Sequence, residues 1–152
     1  MSTLLTLFFV MAAGNDMVLP PCPSSPNCVS SQAAGRHFIE PFPLTGDAAQ
    51  ALDRLREILV RRSDTTVVAA DESSIRVEFR TALGFVDDAL FVLDAANRVI
   101  QIRSAARAGY WDFGKNRRRM EEIRNTYARR AGDSEQEGEE GAPRTGLLRD
   151  DA

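Results

Sequence analysis

Apolar positions recur with two different periods along the middle of the chain. Over residues 45–64, "TGDAAQALDRLREILVRRSD", Ala48, Ala51, Leu52, Leu55, Ile58 and Leu59 return every three or four residues. That spacing puts them on one stripe of an amphipathic helix. Asp47 stands at its N-cap, with Gln50 three residues on. The period then changes. "TTVVAAD" reads as a strand, and in "SSIRVEFRT" Ile75, Val77 and Phe79 alternate with Arg76, Glu78 and Arg80. Such alternation belongs to a strand with one buried and one solvated face. "ALG" forms a turn in which Gly84 supplies a positive φ. "FVDDALFVLD" and "RVIQIRSA" are two more strands, joined by a tight "AAN" turn. A second helix is predicted over 115–130, with Met120, Ile123 and Tyr127 on its apolar face. The order predicts an α+β domain, an antiparallel β-meander of four to five strands packed against two helices.

The turns also predict a register. If Asp94 and Asn97 flank the second turn, Asp88 lies opposite Arg103 and Asp87 opposite Ser104. With Thr81 opposite Phe85, Glu78 falls opposite Asp88 and Arg80 opposite Val86. Arg76, Glu78, Arg80, Asp88 and Arg103 then share a solvated face. Phe79, Phe85, Phe91, Leu93, Ile100 and Ile102 share the other, with Asp87 and Ser104 among them. Asp88 therefore belongs to an ionic ladder across strands, whereas Asp87 points toward the helices and requires a partner. Candidate partners are Ser104, Arg107, Asn116 and Arg117.

The ends of the chain follow different rules. Residues 4–13, "LLTLFFVMAA", are apolar but shorter than the roughly 20 residues of a membrane span. They have the length of an export-signal core, followed by small residues and preceded by no Lys or Arg. Three readings stay open: an export signal, which leads, a short anchor that would associate the chain with a membrane, or an extension ahead of a later start. Residues 133–140 carry five acidic groups and no basic ones, and the segment from Ala131 onward is almost free of bulky apolar residues. Such a composition predicts a disordered acidic tail over 131–152. The domain boundaries are thus 1–21, 22–130 and 131–152.

Composition narrows the chemistry. The 152 residues carry a formal charge of −3, with 43% hydrophobic and 27% charged residues, which predicts a soluble domain with no nucleic-acid partner. A single histidine, His37, excludes a multi-histidine metal site; it reads as part of an early extended segment. Cys22 and Cys28, the only two cysteines, flank a loop stiffened by Pro23 and Pro26. They cannot complete a zinc site. A disulfide between them would contribute about 2–2.5 kcal/mol through loop entropy and fits an exported chain; in a reducing compartment they would be free thiols or a redox couple.

In "RAGYWDFGKNRRR", Asp112 can cap the following helix. Arg107, Lys115, Arg117, Arg118 and Arg119 crowd its start, where they must pair with carboxylates or hold an anion. Tyr110 and Trp111 can cover a ligand ring or the edge of the core. The phosphate-loop pattern is absent.

Three separated segments, "CPSSPNCVSSQ", "FVDDALF" and "RSAARAGYWDFGKNRRRMEEIR", together resemble the bacterial and plastid domain-of-unknown-function family 1499 over about residues 22 to 130. Ala106 stands where that family commonly has Ser. The resemblance implies a compact domain, often exported or membrane-associated, and no particular activity.

These readings lead to a non-enzymatic binding domain for a small anionic or polar ligand. Its expected contacts are Asp87, Arg103, Ser104, Arg107, Tyr110, Asn116 and Arg117. The alternatives are a structural or adaptor domain whose Asp–Arg network serves only the fold, and an acid/base enzyme using Asp87. No metal and no cofactor is expected.

Overall fold

The computed structural model describes residues 18–140, so the expectations for 1–17 and 141–152 lie outside the described residues. Strands β1 (Cys28–Ser30) and β2 (Phe42–Pro43) precede helix α1 (Ala48–Val60). Strands β3 (Thr65–Ala70), β4 (Ser74–Arg80), β5 (Val86–Asp94) and β6 (Val99–Ala106) follow, and helix α2 (Lys115–Glu140) closes the order. They build one six-stranded sheet in the order β1-β6-β5-β4-β3, with β2 also paired to β6. The α+β class holds, and the antiparallel meander is the run β3 to β6. The two additional strands are too short to show a period of their own. They are recruited by the free edge of β6.

Both helices lie on one face of the sheet. Asp47 caps α1, its Oδ1 accepting from the amides of Ala49 (2.9 Å) and Gln50 (3.3 Å). The predicted stripe is buried at Ala51, Leu52, Leu55, Ile58 and Leu59. From α2, Met120, Ile123 and Tyr127 meet Phe79, Phe91, Ile100 and Ile102 of the sheet. Phe42 packs edge-on to Phe91, with ring centroids 5.8 Å apart, and lies 5.7 Å from Tyr127. Full burial of such aliphatic and aromatic side chains contributes about 1.5–3 kcal/mol each. The sheet's other face carries the alternating charges.

Several expectations need correction. β5 and β6 are joined by a four-residue connection, 95–98, because Asp94 pairs with Val99. The Asn97 amide donates to Asp94 Oδ1 (3.1 Å), and Arg98 takes the left-handed conformation at φ 57°. Asp88 therefore faces Ala105 and Asp87 faces Ala106, two residues along from Arg103 and Ser104. A shift of two keeps every side chain on its expected face and changes only its neighbour. The pairings Glu78–Asp88 and Arg80–Val86 stand, with the Thr81 amide bonded to the Phe85 carbonyl at 2.8 Å. Phe85 itself precedes β5 and is exposed rather than in the core. His37 sits in a 3-10 turn, Gly35–His37, instead of an extended segment. Helix α2 does not stop at Arg130 but runs on to Glu140, and Ala131 is buried. Glu, Gln and Arg are good helix formers, so an acidic composition did not prevent continuation from a packed turn. β3 contains a bulge: Val67 pairs with Val77 and Ala69 with Arg76, leaving Val68 as the extra residue.

Candidate functional site

The alternation of the strands decides where each expected ligand residue goes. Asp87 on β5 points to the helices and is 3% exposed. Its Oδ2 accepts from Arg119 Nη1 at 2.8 Å. Arg119, 5% exposed, lies over the Phe79 ring at 4.5 Å and comes within 3.7 Å of Asp64. Asp87 is therefore paired with Arg119 instead of Arg107 or Arg117. Arg119 was readable in outline: Asn116, Arg119, Met120, Ile123 and Tyr127 follow a helical stripe, and a cation on an apolar stripe demands a buried carboxylate.

Arg107 lies on the opposite side of the sheet. It continues the odd-numbered face of β6, beyond Arg103 and Ala105, and its amide donates to the Val86 carbonyl at 2.9 Å. Its guanidinium bonds Asp88 through Nε (3.0 Å) and Nη2 (2.6 Å), and Glu78 through Nη2 (2.5 Å). These bonds raise its pKa further above the usual arginine range. Arg103 shares that face, donates to the Pro21 carbonyl at 3.3 Å, and is lowered by burial against the opposing pull of Asp88. The expected ladder exists, with Arg107 as the bonded cation.

Ser104 and Asn116 are brought together on the helix side. Ser104 Oγ donates to Asn116 Oδ1 at 2.5 Å, and Asn116 Nδ2 donates to Asp112 Oδ2 (2.9 Å) and the Asn27 carbonyl (3.4 Å). Asp112 caps α2 as expected, accepting from the amides of Gly114 (2.9 Å) and Asn116 (3.0 Å). Asn27 Nδ2 donates to the Gly109 carbonyl at 2.5 Å, and Asn27 Oδ1 accepts from Ser25. A closed polar network thus ties the Cys22–Cys28 loop, the end of β6 and the start of α2 to one another. Asn27 was missed as a member, since nothing in a Pro- and Ser-rich loop marks one amide as buried.

The seven expected contacts therefore divide into a helix-side group, a ladder-side pair, and two outliers. Tyr110 is exposed and stacks edgewise on Trp111 at 5.5 Å. Arg117 donates to the Arg36 carbonyl at 2.8 Å and lines a small cavity of about 90 Å³ together with Cys28, Arg36, His37, Asp112 and Gly114. His37 Nδ1 is 2.9 Å from the Cys28 carbonyl, and Arg36 Nε donates to His37 Nε2 at 3.3 Å. Arg36 also donates to the Ser24 carbonyl. Neither Arg36 nor Arg117 has a carboxylate ion-pair partner among the described residues. Cys22 and Cys28 form a disulfide, which fixes one wall of this cavity. A larger cleft of about 610 Å³ lies at the other end of the molecule, lined by Asp47, Asp53, Arg56, Asp71 and Glu72 around Leu52 and Ile75. Its acidic rim suits no anion.

A family model described as "Protein of unknown function (DUF1499)" matches residues 18–126. The chain belongs to the DUF1499 family. No curated protein and no solved structure matches it. In this DUF1499 domain the segments that carry the resemblance converge in space: the cysteine loop through Asn27, the Asp-Asp element through Asp87, and the Arg-rich element through Ser104, Asp112, Asn116 and Arg119. No described group of His, Cys, Asp and Glu could hold a metal ion, and no described helix is long and apolar enough to cross a membrane.

Proposed function

We propose that this DUF1499 domain is a non-enzymatic binding module for a small anionic group, held in the cavity between the Gly35–His37 turn and the first turn of α2. The observation that carries this reading is the convergence of Arg36, His37 and Arg117 on one small cavity, with both guanidiniums bonded, among the described residues, only to neutral groups. Asp112 borders the same space, but its oxygens are engaged by the α2 amides and Asn116. Two uncompensated guanidiniums favour an anion and bind its oxygens strongly. About 90 Å³ is well below the roughly 300 Å³ lower range of ordinary small-molecule clefts, so a phosphate, sulfate or carboxylate group fits and a nucleotide does not. The disulfide wall suits an oxidising, exported setting.

A second reading is favoured by the closure of the Asp87–Arg119 and Ser104–Asn116 contacts. These groups are buried and mutually satisfied, as in a purely structural network. Burial and pairing of Asp87 also weigh against its use as an acid or base.

The test uses His37, the only histidine, as reporter. Titrating the full chain with inorganic phosphate should shift the imidazole NMR signals saturably, and Arg36→Gln or Arg117→Gln should weaken binding about tenfold or more with the fold retained. Signals that stay put, or binding indifferent to both substitutions, would leave the structural reading in place.

A further inference from the structure

One end of the sheet carries large apolar side chains that the fold does not use. Leu83 and Phe85 lie in the β4–β5 turn, and Tyr110, Trp111 and Phe113 in the β6–α2 loop; each is more than half exposed. The two loops are neighbours, because the Arg107 amide donates to the Val86 carbonyl, joining the start of one loop to the end of the other. Scattered apolar residues on a surface require no explanation, but five concentrated in two adjacent loops mark an interaction surface.

The β6–α2 loop is also held rigidly. Gly109 is bonded from Asn27, Asp112 takes the amide of Gly114, and Arg118 Nη1 donates to the Phe113 carbonyl at 2.7 Å. Phe113 adopts φ 53°, in the left-handed region, while its side chain is 82% exposed. That conformation costs a non-glycine residue about 1–2 kcal/mol. With the ring 82% exposed, little burial among the described residues offsets this cost, so the loop holds an aromatic outward at the expense of stability.

We propose that this end of the domain docks on a lipid bilayer surface carrying anionic headgroups. Charge selects this occupant. Arg107 and Arg119 are already paired with Asp88, Glu78 and Asp87, but Lys115, Arg117 and Arg118 have no carboxylate ion pair among the described residues, and the one carboxylate of 106–119, Asp112, is taken up in capping α2. The β4–β5 turn, 81–85, contains no carboxylate. Tyr and Trp favour the headgroup level of a bilayer, Phe and Leu the acyl boundary just below it, and exposed Lys115 and Arg118 lie beside them to meet phosphates. The five apolar residues are all more than half exposed and line neither cavity described above, as suits side chains that enter a bilayer from loop tips.

Trp111 is the only tryptophan in the chain, so the surface reports on itself. The full chain is mixed with vesicles of phosphatidylcholine, with and without phosphatidylglycerol, and with brominated acyl chains as depth quenchers. The expected result is cosedimentation with the phosphatidylglycerol vesicles, a blue shift of Trp111 emission, bromine quenching, and weakening by salt. Phe85→Ser with Phe113→Asn should lower the partition coefficient about tenfold. Asn tolerates the left-handed backbone at 113, and an unchanged melting temperature verifies the fold. If that variant misfolds, quenching of Trp111 in the unaltered chain decides alone. Absence of binding to either vesicle overturns the proposal. So does binding that leaves Trp111 emission unmoved, which would locate attachment elsewhere, as at the apolar 4–13 segment.

Discussion

Asp87 and Asp88 are consecutive and chemically identical, yet the pleat sends them to opposite sides of a sheet. Asp88 meets Arg107 at the surface, where half-exposed groups are well screened. Asp87 meets Arg119 with both side chains 5% exposed. Replacing Asp87 by Ala leaves a buried guanidinium with only the 3.7 Å contact to Asp64 and the Phe79 ring. The expected loss in urea-unfolding stability is about 3 kcal/mol or more. The pair Asp87→Leu with Arg119→Met should recover most of it, because two apolar residues need no partner. A loss in the double variant as large as in Asp87→Ala would show that the ion pair itself, rather than the orphaned charge, sets the stability. Alternation in "FVDDALF" was enough to place Asp87 inside. It could not identify the partner, because that depends on how far α2 has turned when it reaches the sheet. Arg36 and His37 were likewise out of reach: their neighbourhood is created by the cysteine loop folding back on the start of α2.

At the level of elements, the connections decided what could be read. α1 was legible from its stripe and its cap, and the β4–β5 hairpin from Thr81 and Gly84. The β5–β6 connection was not, since "AAN" contains no residue that enforces a two-residue turn, and the left-handed conformation fell on Arg98. The β3–β4 connection offers a direct measurement. Asp71 Oδ1 accepts from the Ser73 amide (2.8 Å), the Ser73 hydroxyl (2.8 Å) and the Ser74 amide (2.8 Å), and Oδ2 from the Ser74 hydroxyl (3.0 Å). Led by the Ser73 amide, these bonds hold its pKa at about 2. The folded value is the lower one, so the contribution is complete above an ordinary aspartate pKa of about 3.9 and is lost as pH falls through about 2. NMR titration should place the Asp71 midpoint there, and Asp71→Ala should reduce the drop in melting temperature over that interval. A midpoint at the ordinary value would remove the turn from any account of acid sensitivity. Asp64 works in the same sense: burial pushes it up, and the bonds and charge of Arg62, with Thr65 and Arg119, more than offset that.

For the whole molecule, the arrangement assigns different tasks to different regions. One face of the sheet holds the core and the closed polar network, the other a solvated ladder, and the two ends carry the basic cavity with the aromatic loops and the acidic cleft. The layer architecture followed from periodicity alone, whereas the division of the charged residues among these regions required the folded chain. The sheet's flanks differ too. β6 is covered by β1 and β2, while among the described residues no strand lies beyond β3. Val68, the extra residue of the β3 bulge, interrupts the row of amides and carbonyls that β3 would otherwise present. An uninterrupted flank of this kind is a template on which a second molecule can add its own backbone. Deleting Val68 would align 65–70 continuously with β4, and light scattering should then register growth of oligomers with concentration where the parent chain gives none. Scattering that remains flat would mean something other than this single irregularity keeps neighbouring molecules from joining.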